Sequence, residues 1–228
     1  MTKASRRGLF ISFEGTEGSG KTTQMSILVA RLRALGYAVM ENQEPGGTSI
    51  GRQIRQVLLD PENSEMAPMA ELLLMFASRA QAAAELIVPA LERGDVVVSD
   101  RFTDSSLAYQ GAARGLGFEK VLAAHELAMG TLHPDLTLWI DIEVEQGLAR
   151  ATGRNARRAG QERSEARIDQ QPAEFHRKVR EGYARIAARE AQRFRRIDGN
   201  AEVETVAEAV WRTVETFLPR AAAQTVSQ

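Results

Sequence analysis

The chain has 228 residues, enough to bury one sizeable core, and predicts a single domain over residues 1–228. Its 29 Lys+Arg against 30 Asp+Glu leave a net charge of -1, so no whole-molecule positive field draws it to nucleic acid or an anionic membrane, and any basic site is local. It has no cysteine, which excludes disulfides and thiolate metal sites, and no apolar run approaches the roughly 18 residues of a spanning helix, so a soluble cytoplasmic protein is expected.

In chain order, short apolar β-branched runs alternate with longer stretches of helical spacing. This predicts an α/β fold in which a five-stranded parallel sheet is flanked by helices. The strands are expected at 9–13, 38–42, 96–99, 136–140 and 196–197 with its flanks. Residues 22–35 carry Met25, Leu28, Val29 and Leu32 at helical spacing, with Gly36 where a helix ends. A second helix is expected at 49–59. A longer one starts near Pro68, runs through Leu72, Met75, Phe76 and Ala80 toward Leu91, ends at Gly94, and carries Pro89 as a point for a kink. Residues 151–167, rich in Arg, Gly and Gln and nearly without large apolar side chains, read as a mobile loop. The helix after it, about 172–192, places Phe175, Val179, Tyr183 and Ile186 on one face, and the Ala- and Gln-rich tail 219–228 is expected to fray.

Gly15-Thr16-Glu17-Gly18-Ser19-Gly20-Lys21-Thr22 matches the G-x-x-x-x-G-K-[ST] pattern and lies between an apolar strand and an amphipathic helix, the context a phosphate-binding loop requires. Its glycines let backbone N–H groups converge, and the helix N-terminus adds partial positive charge, so a polyphosphate is held by several donors. Lys21 is placed to reach the β- and γ-phosphates of ATP, and the Thr22 hydroxyl is the natural ligand for Mg²⁺. The apolar run 96–99 ends in Asp100-Arg101, which puts a metal-directed carboxylate at the carboxyl end of the sheet, beside the cradle. The N-K-x-D and D-x-x-G patterns of guanine-nucleotide switches are absent, and a small kinase remains.

Phe13-Glu14-Gly15 before the loop, Glu44-Pro45-Gly46-Gly47-Thr48, Asp100-Arg101-Phe102 and Ala108-Tyr109-Gln110-Gly111 occur in an order and spacing that resemble bacterial thymidylate kinases, to about Asp198. The resemblance implies transfer of the ATP γ-phosphoryl group to dTMP in a cytoplasmic homodimer. It further implies that Glu17 accepts a hydrogen bond from the 3′-hydroxyl of dTMP, and that Arg101 grips the acceptor phosphate with help from Arg55. Phe76 would stack on thymine, Arg79 and Gln110 would donate to the base edge, Ser105 would line the acceptor site, and Tyr109 would crowd the 2′ position. The arginine-rich segment 151–167 resembles the lid of nucleotide-monophosphate kinases, and since the P-loop holds no arginine the resemblance assigns the catalytic arginine to that lid, with Arg154, Arg157, Arg158 and Arg163 as candidates. Gln43 stands where many members carry arginine. Two alternatives remain open from the residues: a kinase for another nucleoside monophosphate, and an ATP-bound switch whose arginine-rich segment docks on nucleic acid.

Overall fold

The computed structural model describes residues 7–158 and 167–218, the side chains of 154–158 excepted. Its elements in chain order are β1 (Phe10–Glu14), α1 (Lys21–Ala34), β2 (Val39–Gln43), α2 (Ser49–Leu59), α3 (Pro68–Ala82), α4 (Val88–Arg93), β3 (Val96–Asp100), α5 (Thr103–Ser106), α6 (Phe118–Met129), β4 (Leu136–Asp141), α7 (Val144–Arg158), α8 (Ala173–Arg189), β5 (Phe194–Asp198) and α9 (Val203–Glu215). The strands form one parallel sheet in the order β2-β3-β1-β4-β5. β1 and β4 are buried along their whole length, as parallel strands covered on both faces must be, while the edge strand β2 is half exposed.

Strand alternation divides the core. Ile11 and Phe13 of β1 join Val96, Val98, Leu136 and Leu138 under α1 and α9, where Leu28, Leu32, Val210 and Val214 cover them. Phe10 points to the other face and packs with Val97, Phe102 and Ile87. Ser12 and Glu14 share the Phe10 face by the same alternation, so β1 carries two polar side chains into the interior beside the helices that enclose the cleft.

Two sequence expectations need correction. Residues 151–158 are helical, the last part of α7, because Val144 and Ala151 are buried, with the partly buried Leu148 between them at i+4, and Ala and Arg favour helix; only 159–166 of the expected loop lie outside the described residues. The tail 219–228 lies outside them too. Just before Pro89 the helix passes through a π-helical segment at Ala83–Ile87, where the proline lacks the N–H that would continue the regular ladder. The combined Pro68–Arg93 helix is also 26 residues long and apolar enough to cross a membrane by length and composition, with a window hydropathy of 1.3, contrary to the absence of any such run inferred above. Its side chains Leu72, Phe76, Ala82, Ile87 and Leu91 are core residues of this fold. Helices α6 and α9 were not anticipated. α9 is amphipathic, with Val206, Val210 and Val214 inward.

Candidate active site

The strand order places β1 and β3 side by side, with Phe13 paired to Asp100, so the loop after β1 and the Asp100-Arg101 turn emerge together at the carboxyl edge. Gly20 at φ 91 turns the chain into α1, whose N-terminus has no side-chain cap, leaving its first amides to an anion. Gly18 at φ 70 lies against the first turn of α7: a Cβ there would stand 2.1 Å from the Gly147 carbonyl oxygen, and one on Gly147 would stand 2.5 Å from the Glu17 carbonyl oxygen. The phosphate loop and the arginine-bearing helix α7 therefore touch backbone to backbone.

Lys21 Nζ donates to the carbonyls of Gly15 (3.0 Å) and Thr16 (2.9 Å) and to Ser19 Oγ (3.4 Å), so the ammonium lies folded onto the loop. Burial, with the Arg101 charge adding to it, lowers its pKa to about 8. The Thr22 hydroxyl donates to Asp100 Oδ2 at 3.2 Å, bringing the two metal-directed residues together.

Behind the cradle is a second polar cluster centred on Arg101, which sits at φ 74 in the left-handed region. Its Nη1 donates to the Gly15 carbonyl (3.1 Å), Ser105 Oγ (3.0 Å) and Tyr183 Oη (3.3 Å), and its Nη2 to Glu17 Oε1 (3.0 Å). The guanidinium carbon is 4.8 Å from the centre of the Tyr109 ring. Tyr109 Oη donates to both Glu17 oxygens, at 2.8 and 2.9 Å. Burial holds the phenol well above its usual range, which keeps it a donor. Burial would also raise the Glu17 carboxyl, but the His176 contact and the charges of Arg101 and Lys21 outweigh it and hold the pKa at about 2. Glu14 has the opposite balance: burial, with the Asp104 charge adding to it, pushes it up to about 7 although Ser105, Arg101 and the Phe102 amide oppose. Its oxygens accept from Ser12 Oγ (2.9 Å), Phe102 N (2.8 Å), Tyr183 Oη (3.0 Å) and Ser105 Oγ. Two carboxylates about the one arginine are thus tuned apart.

The family model described as Thymidylate kinase matches residues 13–210. The chain belongs to the thymidylate kinase family. It is 49% identical over 203 residues to the thymidylate kinase of Pelobacter propionicus, covering 89% of this chain and 92% of that one. It is 49% identical over 209 residues to that of Syntrophotalea carbinolica, covering 92% and 96%. The fold is similar to the crystal structure of thymidylate kinase from Ehrlichia chaffeensis, with a TM-score of 0.73 at 27% identity, covering 92% of this chain and 99% of that one.

Among the residues that the thymidylate kinase resemblance implied, Gly15 to Thr22, Asp100, Arg101, Ser105 and Tyr109 converge as described. Arg55 lies at the Glu44-Pro45-Gly46-Gly47-Thr48 turn, its Nη1 donating to the Pro45 carbonyl at 2.8 Å. Phe76 is nearly fully buried, with the Arg79 guanidinium carbon 4.7 Å from its ring centre. Arg79 and Gln110, which the resemblance implied as donors to the base edge, are both buried and each already holds a carboxylate. Arg79 is 2% exposed and bonds Glu44, Ser106 Oγ and the Phe102 carbonyl, and Gln110 is 1% exposed and donates to Glu71 at 2.8 Å. The buried carboxylates of Glu44 and Glu71 require such partners. Arg154, Arg157 and Arg158 lie on α7, and Arg163 lies outside the described residues. Arg167, read as part of the mobile segment, is instead a buried anchor that bonds Glu71 and the Leu58 carbonyl.

Sequence reasoning gave no role to Glu14, His176 or Tyr183. Glu14 had a detectable signal, a charged residue closing a short strand that is apolar but for Ser12. Tyr183 read as core, and only its hydroxyl at Glu14 and Arg101 shows otherwise.

Proposed function

We propose that this chain transfers the γ-phosphoryl group of ATP to dTMP, giving ADP and dTDP on the route to dTTP. The observation that carries the reading is Arg101: one guanidinium reaches both the Gly15 carbonyl of the phosphate cradle and Glu17 of the adjoining polar cluster, so two phosphates brought to the two sites meet at one cation.

In this reading ATP enters the cradle and its phosphates take Lys21 from the Gly15 and Thr16 carbonyls. The acceptor phosphate binds Arg101, with Arg55 assisting and Ser105 holding the guanidinium. Glu17, ionised at neutral pH, accepts from the sugar 3′-hydroxyl, and Tyr109 walls off the 2′ position. Phe76 supplies the face for thymine, and Arg79 and Gln110 offer their remaining N–H groups to the base edge. The acceptor is a monoester with a second pKa near 6, so at neutral pH an acceptor oxygen attacks the γ-phosphorus without a general base while the bridging bond to ADP breaks. Lys21 and an arginine of the lid, among Arg154, Arg157, Arg158 and Arg163, stabilise the charge that develops.

The donor set suits Mg²⁺. A hydroxyl and a carboxylate oxygen 3.2 Å apart, with the remaining positions left to phosphate and water, match a hard cation that keeps part of its hydration shell. Thr22 and Asp100 would hold it, and it would supply charge neutralisation at the β- and γ-phosphates. Exposed apolar side chains on adjacent helices, Ile50 and Val57 on α2, Met69 and Leu73 on α3, Leu122 and Leu127 on α6, support association with a second copy of this chain. The absence of cysteine agrees with work in the reducing cytoplasm.

The test is coupled ADP release with dTMP, dUMP, dCMP, dGMP, AMP and UMP offered in turn. A strong preference for dTMP is expected. Preference for another acceptor would keep the phosphate chemistry and remove Phe76 and Tyr109 as thymidine readers.

A further inference from the structure

Helix α8 turns Phe175, His176, Val179 and Tyr183 toward the cleft wall. Tyr183 is occupied by Glu14, and Phe175 and Val179 pack in the core. His176 is different. Its side chain is 1% exposed, yet neither ring nitrogen makes a well-formed hydrogen bond among the described residues. Its charged neighbour is Glu17: Nδ1 lies 3.2 Å from Oε2, close but off the angle of a good bond. A buried polar ring in this condition works against stability, and an apolar ring would fill the same space beside Phe175 without that cost. The reason for an imidazole must lie with the carboxylate beside it.

The two oxygens of Glu17 are used unequally. Oε1 accepts from Tyr109 and from Arg101, whereas Oε2, among the described residues, accepts a hydrogen bond from Tyr109 alone and has His176 Nδ1 at 3.2 Å. A carboxylate 3.0 Å from a guanidinium is drawn toward the two-pronged pair, the most stable geometry available to these groups. Were Glu17 to swing that way, both of its oxygens would be withdrawn from a ligand hydroxyl and Arg101 would be withdrawn from a ligand phosphate. An imidazole N–H on the Oε2 side opposes the swing. We propose that His176 is a positioning residue of the acceptor site, holding Oε2 of Glu17 away from Arg101 so that it accepts the sugar hydroxyl of the acceptor nucleotide. The inference rests on the reading that Glu17 contacts that hydroxyl.

The experiment compares wild type, His176→Phe, His176→Asn and Glu17→Gln with dTMP and with 3′-deoxythymidine monophosphate, after thermal melts establish that each variant folds. Phe keeps the ring and removes the donor; Asn restores an N–H near the position of Nδ1. For His176→Phe the account expects KM for dTMP to rise about tenfold, more than kcat falls, and the preference for dTMP over the 3′-deoxy acceptor to shrink by a similar factor. KM for ATP should stay within about twofold, and the melting temperature should hold or rise. His176→Asn should recover most of the lost preference. An unchanged preference in His176→Phe, or an Asn variant no better than Phe, overturns the proposal. Glu17→Gln separates the two levels: if the preference survives there, the reading of Glu17 fails and takes the inference with it. If it collapses there but persists in His176→Phe, the inference alone fails.

Discussion

Replacing Arg167 by Met tests whether the C-terminal end of the lid segment is a structural anchor. The guanidinium is 4% exposed, with Nη2 at 2.7 Å from Glu71 Oε2 and Nε on the Leu58 carbonyl. Glu71, itself fully buried, keeps Gln110 at 2.8 Å and the half-buried Arg114 at 3.1 Å. If the carboxylate were orphaned, the loss would reach about 3–5 kcal/mol, and if one charge-assisted bond simply vanished, about 1.5–3 kcal/mol. With Arg114 still in place the expected cost is about 3 kcal/mol, or about 6–12 °C in melting temperature for a domain of this size. Urea unfolding of Arg167→Met, Glu71→Gln and the double variant gives the coupling, expected at about 1–2 kcal/mol. Burial raises the Glu71 carboxyl, but Gln110 and the two arginines reverse that and lower it. This stabilisation is therefore complete above its unfolded value and is lost as pH falls through the folded one. A cost below about 1 kcal/mol with no coupling, or turnover by the folded variant reduced as far as by loss of Lys21, would refute the reasoning.

Lys21→Met should lower kcat by about 10³-fold while KM for dTMP changes little, measured by steady-state ADP release; retained turnover would remove Lys21 from the transfer step. Glu14 carries its own pH signature. Its folded pKa of about 7 lies above the ordinary glutamate value of 4.5, so the native state holds an extra proton between them and stability falls as pH rises through that window. Urea midpoints at about pH 5 and about pH 8 should therefore differ less in Glu14→Gln than in wild type; equal differences would contradict the assignment. Gly147→Ala puts a methyl 2.5 Å from the Glu17 carbonyl and must push α7 off the phosphate loop. It should cost about 1–3 kcal/mol and lower kcat more than it raises KM for dTMP, and wild-type kinetics would show that α7 is not rooted there.

The sheet, the cradle and the Asp100-Arg101 turn were legible because each is written locally: apolar runs of strand length, glycines at fixed spacing, and a charged pair closing a strand. Helix α7 was hidden because its buried stripe is made of Val144, Gly147 and Ala151, with Leu148 only partly buried beside them, too small to register as an apolar face. The partners of Arg79, Gln110 and Arg167 could not be read at all. Each answers a buried carboxylate 35, 39 or 96 positions away, and nothing in local spacing marks which arginine goes inward. The roles of Glu14, Tyr183 and His176 are of the same kind, set by strand alternation on β1 meeting a face of α8 across the sheet edge.

The most direct test of the account follows labelled phosphate from [γ-³²P]ATP in wild type and in Arg101→Ala with dTMP present. The account predicts label in dTDP for the wild type, and for Arg101→Ala a loss of transfer that rising dTMP partly restores, because that arginine joins the cradle to the acceptor cluster. Label released as inorganic phosphate regardless of dTMP, or undiminished transfer by Arg101→Ala at low dTMP, would contradict it.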